Sequence, residues 1–388
     1  MNNIQILYFC PMPYSYEIGP IRPPSEANSL LLRITRNCPW NKCRFCHVYK
    51  NDRFSLRTVE EIKKDIDVVY DMAQAIFEKA REPGINGSIA RIIEELKPQF
   101  GFGGIYLQQV AVWLGCNEYN VFLQDADSLI LKSDKLAEVL NYLRSKFPGI
   151  KRITTYSRSK TVSRKSLEEL KLLRQAGLNR IHIGMESGSG KVLDMIKKGV
   201  KPEEHIIAGK NLMDAGFELS EYYMPGIGGT EYPKENAVES AKVINAINPT
   251  FIRIRSTIVI NGTPLYEDMV SKKWIPLTED EKVKELKLFI ENLDNITGTV
   301  VSDHIMNLLE DLGGKMPEDK DSMLEKINSY LEMNDDDRES FILGRRTGRF
   351  RYLSDYEPNE RIENMKARIK ERYSSFDEGL NDIMQGFV

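Results

Sequence analysis

Residues 151–184, KRITTYSRSKTVSRKSLEELKLLRQAGLNRIHIG, contain a complete strand–helix–strand unit. KRITTYS (151–157) is a short β-branched and aromatic run, as strands favour. SRKSLEELKLLRQAG (163–177) places leucines at helical spacing between charges and stops at Gly177. RIHIG (180–184) returns to strand composition. The same rhythm continues outward. VFLQ (121–124) predicts a buried strand, followed by a helix over 132–147. On the other side come helices near 189–198 and 202–215, the strand FELSEYYM (217–224), a helix over 234–247 and the strand FIRIRSTIVI (251–260). With SLLLRIT (29–35), six strands alternate with helices. Such alternation predicts a parallel sheet with right-handed crossovers, as an incomplete barrel or an open α/β sheet. Chemistry then belongs at the C-terminal ends of the strands.

Flanking segments differ in character. Residues 1–28 are rich in Pro and Tyr and read as an ordered arm. A helix is expected from Arg57 to about Ala80, and another after GINGS, ending before Pro98. The alternation stops near residue 270; beyond it the chain reads as mainly helical and charged. The expected domains are an arm at 1–28, an α/β core at 29–270 and a helical region at 271–388. The 388 residues carry 54 Lys and Arg against 57 Asp and Glu, a net charge of −3. That balance argues against a protein that coats nucleic acid or an anionic membrane. No window resembles a transmembrane span, and the N-terminus lacks the parts of a signal peptide. A reducing, cytoplasmic setting follows, where clustered cysteines are more often metal ligands or catalysts than disulfides.

Three of the five cysteines fall within nine residues: Cys38-Pro-Trp-Asn-Lys-Cys43-Arg-Phe-Cys46, a C-x4-C-x2-C run directly after the first strand. A structural zinc site usually takes four protein ligands, often as two separated pairs. Cys10 and Cys116 stand alone, and His47 is too close to Cys46 to share its metal readily. A 4Fe–4S cluster also normally uses four thiolates, so three leave one iron open.

Here the chain resembles the radical S-adenosylmethionine (SAM) superfamily. In that family three loop cysteines hold a 4Fe–4S cluster, and SAM chelates the fourth iron through its amino and carboxylate groups. The usual spacing is C-x3-C-x2-C, so this loop has one extra residue. The resemblance implies an incomplete (β/α)6 barrel with a helical C-terminal region, and Cys38, Cys43 and Cys46 as cluster ligands. It assigns Phe45 to the adenine, and Asp125, Ala126 and Asp127 in QDADSL to the SAM amino group. Ser157 and Arg158 in TTYSRSK would meet the ribose or carboxylate. In RIHIGMESGSG, Gly184 would allow close backbone approach and Glu186 would hydrogen-bond the ribose. Val259 and Ile260 in STIVINGTPLY would contact adenine. YYMPGIGG (222–229) resembles a turn of the coproporphyrinogen dehydrogenase and tRNA-modifying branch. These SAM-contact residues also have a plain structural reading, as turn, cap or core, and for Glu186 as an ion pair with a nearby Lys or Arg.

The implied chemistry is reductive cleavage of SAM to methionine and a 5′-deoxyadenosyl radical, which abstracts hydrogen from substrate. A one-electron donor such as ferredoxin or flavodoxin is expected, and anaerobic conditions. Only Cys10 and Cys116 remain, too few for a second cluster, and the arm is too short for a cobalamin domain. In the C-terminal region His304, with Asp303 and Asn307 on a helix, is a candidate for proton donation or substrate binding. Arg345, Arg346, Arg349 and Arg351 in GRRTGRFRY are candidates for an anionic substrate, since no acidic residue lies among them. A single-cluster radical SAM oxidoreductase, or an enzyme of another radical-based transformation, acting on a small molecule is the leading expectation. RNA modification, an Fe–S or haem carrier on the same scaffold and a zinc-binding structural protein are the alternatives.

Overall fold

The computed structural model describes residues 14–50, 52–85, 88–116 and 118–385. Cys10 and most of the expected arm therefore lie outside the described residues. The chain divides into two compact units. The first takes Met1–Pro39, Arg53–Ser157 and Glu168–Arg180; the second takes Trp40–Asp52, Arg158–Leu167 and Ile181–Val388.

In the first unit the order is β1 (Leu30–Arg33), β2 (Thr35–Arg36), β3 (Ser55–Leu56), α1 (Val59–Ala80), α2 (Ile89–Phe100), α3 (Gly104–Gly115), β4 (Asn120–Gln124), α4 (Ser133–Lys146) and β5 (Arg152–Ser157). The chain then forms α5 (Ser159–Val162) in the second unit and returns for most of α6 (Leu167–Gln175). β4 lies between β1 and β5 and is parallel to both. Leu30, Leu31 and Leu32 are all buried, as a parallel strand covered on both faces requires. α1 begins where Thr58 and Glu61 form a reciprocal cap, and it buries Ile62, Ile66, Val69, Ala73 and Ile76 at helical spacing.

The arm is fixed by charge. Glu17 accepts hydrogen bonds from Arg33 (3.0 Å) and Arg36 (2.7 Å) and pairs with Arg57 (3.4 Å). Burial works against its carboxylate, but the bond from Arg36 and the charges of Arg57, Arg36 and Arg33 hold its pKa below the usual range.

The second unit continues with β6 (Arg180–Glu186), α7 (Gly190–Met195), α8 (Pro202–Asp214), β7 (Glu218–Tyr223), α9 (Pro233–Ile247), β8 (Phe251–Ile254), α10 (Pro264–Val270), α11 (Glu279–Glu291), β9 (Thr299–Val301), β10 (Gly314–Lys315), α12 (Lys320–Leu331), α13 (Asp335–Arg346), α14 (Glu360–Arg372) and α15 (Phe376–Gln385). β6, β7, β8 and β9 follow one another across the sheet. β7 to β9 are parallel, and β10 is antiparallel to β9.

The α/β class expected from the alternation is the class observed. Four details differ. α2 runs through Pro98 to Phe100 rather than ending before it. Pro98 stands in the last turn, where burial of Leu96 and Phe100 outweighs the lost backbone bond. α3 was not anticipated, because its apolar residues surround the helix and leave no periodic signal. β8 ends at Ile254; residues 255–260 take no regular secondary structure. Beyond residue 270 a further parallel strand, β9, joins β8 before the helices resume.

Behind the exit of β7 lies a buried acid. Glu285 on α11 accepts from the Tyr223 hydroxyl (2.7 Å), the Asn236 amide (2.7 Å) and the Gly226 backbone (3.1 Å), all at Oε1. Burial outweighs these donors and raises its pKa from 4.5 to about 7. A carboxyl that holds its proton more tightly when folded stabilises the protein fully below its unfolded pKa. That contribution fades as pH rises from 4.5 through about 7. Urea unfolding should show Glu285 contributing on the order of 3 kcal/mol to a loss of stability over this window. The loss should be absent in Glu285→Gln; an unchanged pH slope would reject the assignment.

Candidate active site

The boundary between the units passes through the cysteine loop, so Cys38 belongs to the first and Cys43 and Cys46 to the second.

In the first unit, Asp125 directly follows β4 and is fully buried. Its Oδ2 accepts from Arg33 Nε (2.7 Å) and from the backbone N–H of Asn37 (2.9 Å). Asn37 precedes Cys38, so this carboxylate anchors the start of the cysteine loop. Gly19 passes so close that a Cβ there would meet Asp125 Oδ1 at 2.1 Å. Asp125, Ala126 and Asp127 lie in a turn rather than on extended strand, because β4 ends at Gln124. The turn brings Asp127 Oδ1 within 2.7 Å of the Ser157 hydroxyl at the end of β5. Two of the expected site residues therefore meet.

In the second unit, the loop backbone is pinned at several points. Cys43 O accepts from Lys50 Nζ (2.6 Å). Arg44 N–H donates to Ile196 O (2.9 Å), its carbonyl accepts from Leu265 N (3.0 Å), and its guanidinium pairs with Asp268. Trp40 Nε1 donates to Lys197 O (2.7 Å), with the Arg158 guanidinium 5.3 Å from its ring centroid. Arg158 also donates to Lys198 O (3.0 Å). Phe45 and Val259 pack against one apolar cluster that includes Ile196, Met224, Ile227 and Leu265. Ile260 is used differently: its carbonyl accepts from the Thr263 hydroxyl that caps α10 (2.7 Å).

At the end of β6, Glu186 has φ 64° and pairs with Lys198 Nζ at 2.9 Å. Both groups fold over Gly184, where a Cβ would lie 2.2 Å from Glu186 Oε1 and 3.0 Å from Lys198 Nζ. Burial acts to lower the Lys198 pKa, but Glu186 and Cys43 outweigh it and hold the ammonium above its ordinary value. Glu221 on β7 is fully buried, and among the described residues neither of its carboxylate oxygens accepts a hydrogen bond. Burial, then the Glu186 charge, keeps its pKa well above the carboxylate range.

Sequence reasoning missed Lys198 and Glu221. Glu221 carried a signal, an acid inside an otherwise apolar strand run; Lys198 in IKKG is indistinguishable from a solvated helix end. YYMPGIGG does form the tight turn, with Gly226 at φ 84° and Gly229 at φ 60°. Ser189 of the SGSG turn caps α7.

The C-terminal candidates are engaged elsewhere. Arg345 and Arg351 both pair with Glu310 (2.6 Å each), Arg346 with Glu279 (2.6 Å) and Arg349 with Glu357 (2.9 Å). Residues 303–307 form a loop rather than a helix. Asn307 braces β8, and burial, then Arg255, lowers the His304 pKa to about 4.

Cys38, Cys43, Cys46 and Cys116 are not in disulfides, and the first three are half-buried. Among the described residues no three Cys, His, Asp or Glu side chains are drawn together as a metal-holding group. The donor set is nonetheless that of an Fe–S site: three thiols in one loop, with the loop backbone pinned at Asn37, Cys43 and Arg44.

The sequence profile of the Radical SAM superfamily matches residues 32–244, more than half the chain. The protein belongs to this superfamily, whose members are enzymes that use a 4Fe–4S cluster and SAM. A tRNA uridine(34) acetyltransferase of Methanocaldococcus infernus is 28% identical over 120 residues, 31% of this chain and 22% of that protein. The chain thus spans about a fifth of this curated relative's length. Among solved structures, archaeal M. infernus Elp3 with an N-terminal deletion aligns at TM-score 0.40 and 18% identity, covering 56% of this chain and 51% of the other. Coproporphyrinogen III oxidase (HemN) of Escherichia coli aligns at 0.43 and 15%, covering 68% and 52%. Among the described residues no helix is long and apolar enough to cross a membrane.

Proposed function

We propose that the protein is a single-cluster radical SAM enzyme acting on a small molecule that carries an anionic group. The observation that carries this reading is the three-cysteine loop, lying within the superfamily match and pinned at Asn37, Cys43 and Arg44. Cys38, Cys43 and Cys46 would hold the cluster. When bound, cluster and SAM supply a 5′-deoxyadenosyl radical that abstracts hydrogen from substrate.

The chain's own groups would position the reactants. Phe45 and Val259 offer an apolar surface to adenine. Glu186, kept in place by Lys198, is suited to accept from ribose hydroxyls. Asp127 with Ser157, and Arg158, offer acceptors and a cation to the amino acid end of SAM. A ferredoxin- or flavodoxin-type donor in the cytoplasm would deliver the electron.

Anaerobic reconstitution with iron and sulfide tests the reading. About four irons per chain, visible Fe–S absorbance and formation of 5′-deoxyadenosine under reduction are expected. Failure to bind iron would overturn it. The similarity to a tRNA uridine(34) acetyltransferase favours RNA modification as the second reading. Salt-sensitive co-purification of tRNA would decide for that reading.

A further inference from the structure

The four arginines that stand out in the sequence are all ion-paired, and a different arginine has the freedom they lack. Arg255 directly follows β8, at the C-terminal end of a parallel strand, where folds of this class place their chemistry. It is exposed, and among the described residues its guanidinium makes no hydrogen bond or ion pair.

Its backbone is fixed from both sides. Asn307 Oδ1 accepts from Ser256 N (2.8 Å), and Asn307 Nδ2 donates to Ile254 O (2.8 Å). The Arg255 backbone N–H donates to Tyr223 O (2.9 Å). Asn307 N–H also donates to His304 O (2.8 Å), so the clamp on Arg255 carries His304 with it.

The His304 ring is set for donation. Met306 N–H donates to His304 Nδ1 (3.3 Å). Nδ1 is therefore the acceptor, and in the neutral ring the proton sits on Nε2. Burial and the Arg255 charge keep the ring neutral at pH 7. Carboxylates that could cancel Arg255 are committed elsewhere: Asp303 to Arg253 (2.7 Å), and Glu310 to Arg345 and Arg351.

We propose that the Arg255 guanidinium and the Nε2–H of His304 form an oxyanion subsite that takes a carboxylate or phosphate group of the substrate. A planar fork of charged donors together with a neutral N–H donor suits either anion. The assignment deepens, and rests on, the radical SAM reading, because that reading makes this strand end a substrate face.

Arginine-specific modification by phenylglyoxal, followed by peptide mass spectrometry on the reconstituted full chain, tests it. Arg255 should react readily and be protected by inorganic phosphate or succinate; the anion that protects at lower concentration identifies the source. By calorimetry, Arg255→Ala should weaken binding of that anion roughly 10- to 100-fold. Arg255→Lys should keep part of it, and His304→Ala should lose less than Arg255→Ala. Equal modification with and without both anions, or unchanged affinity in Arg255→Ala, overturns the subsite. If the wild-type protein cleaves SAM yet neither anion protects Arg255, the subsite alone fails. If it binds no iron while protection persists, the enzyme reading fails and the oxyanion site remains.

Discussion

Replacing Cys43 with alanine is expected to abolish reductive cleavage of SAM while leaving the chain folded. The thiol is half-buried at a loop, and the loop is held by contacts that do not involve it: Lys50 to the Cys43 carbonyl, Arg44 to Asp268 and Trp40 to Lys197. The fold should therefore survive, with circular dichroism and urea midpoint near those of the parent. Iron content and visible absorbance should collapse, because two thiolates cannot replace three. The activity loss should exceed the roughly 10- to 100-fold that follows removal of an outer-shell partner. A Cys43→Ala protein that still binds about four irons and cleaves SAM would remove Cys43 from the cluster.

Replacing Arg346 with methionine should have the largest effect on stability. Arg346 and Glu279 form a buried pair at 2.6 Å, with side chains only 3% and 8% exposed. Methionine leaves Glu279 facing Lys282 alone (3.1 Å). Removing one partner of such a pair strands a charge, at a cost of roughly 3–5 kcal/mol. pH gives a second readout. Burial pushes the Glu279 pKa up, but Arg346 and Lys282 overcome it and bring it from 4.5 down to about 2. A carboxylate with a lowered folded pKa contributes stability that is present above its unfolded pKa and lost as pH falls toward the folded one. The parent should thus lose stability between pH 4.5 and about 2 through this group. In Arg346→Met that acid-limb loss should shrink. A urea midpoint unchanged at pH 7 would show that the pair contributes nothing.

What could be read from the sequence was what is local. The strand–helix–strand rhythm and the cysteine spacing are patterns over a few residues, and both led to the correct class. The apolar spacing from Arg57 to about Ala80 announces α1 in the same way. The features that are hidden in the sequence depend on partners far along the chain. Asp125, which the resemblance assigns to SAM together with Ala126 and Asp127, has its Oδ2 bound by Arg33 and Asn37, 92 and 88 residues away in sequence. No acidic residue lies among the arginines at 345–351, yet Glu279 and Glu310 reach three of them in space. Conversely, Arg255 sits in an apolar run that reads as plain strand; only the end of β8 at Ile254 and the Asn307 clamp bring it out. Charge in a sequence is a local sum, whereas what an ionised group can do depends on which opposite charges the fold leaves unspent.

Glu310 gives that point a practical edge. One buried carboxylate serves two guanidiniums, with Arg345 on Oε2 and Arg351 on Oε1. Losing either arginine changes what the other is worth, so their effects are not additive. An alanine scan through this segment would show coupling between two arginines, the signature usually sought in a shared ligand. Here the coupling has an ordinary origin: the two residues divide a single counter-ion between them.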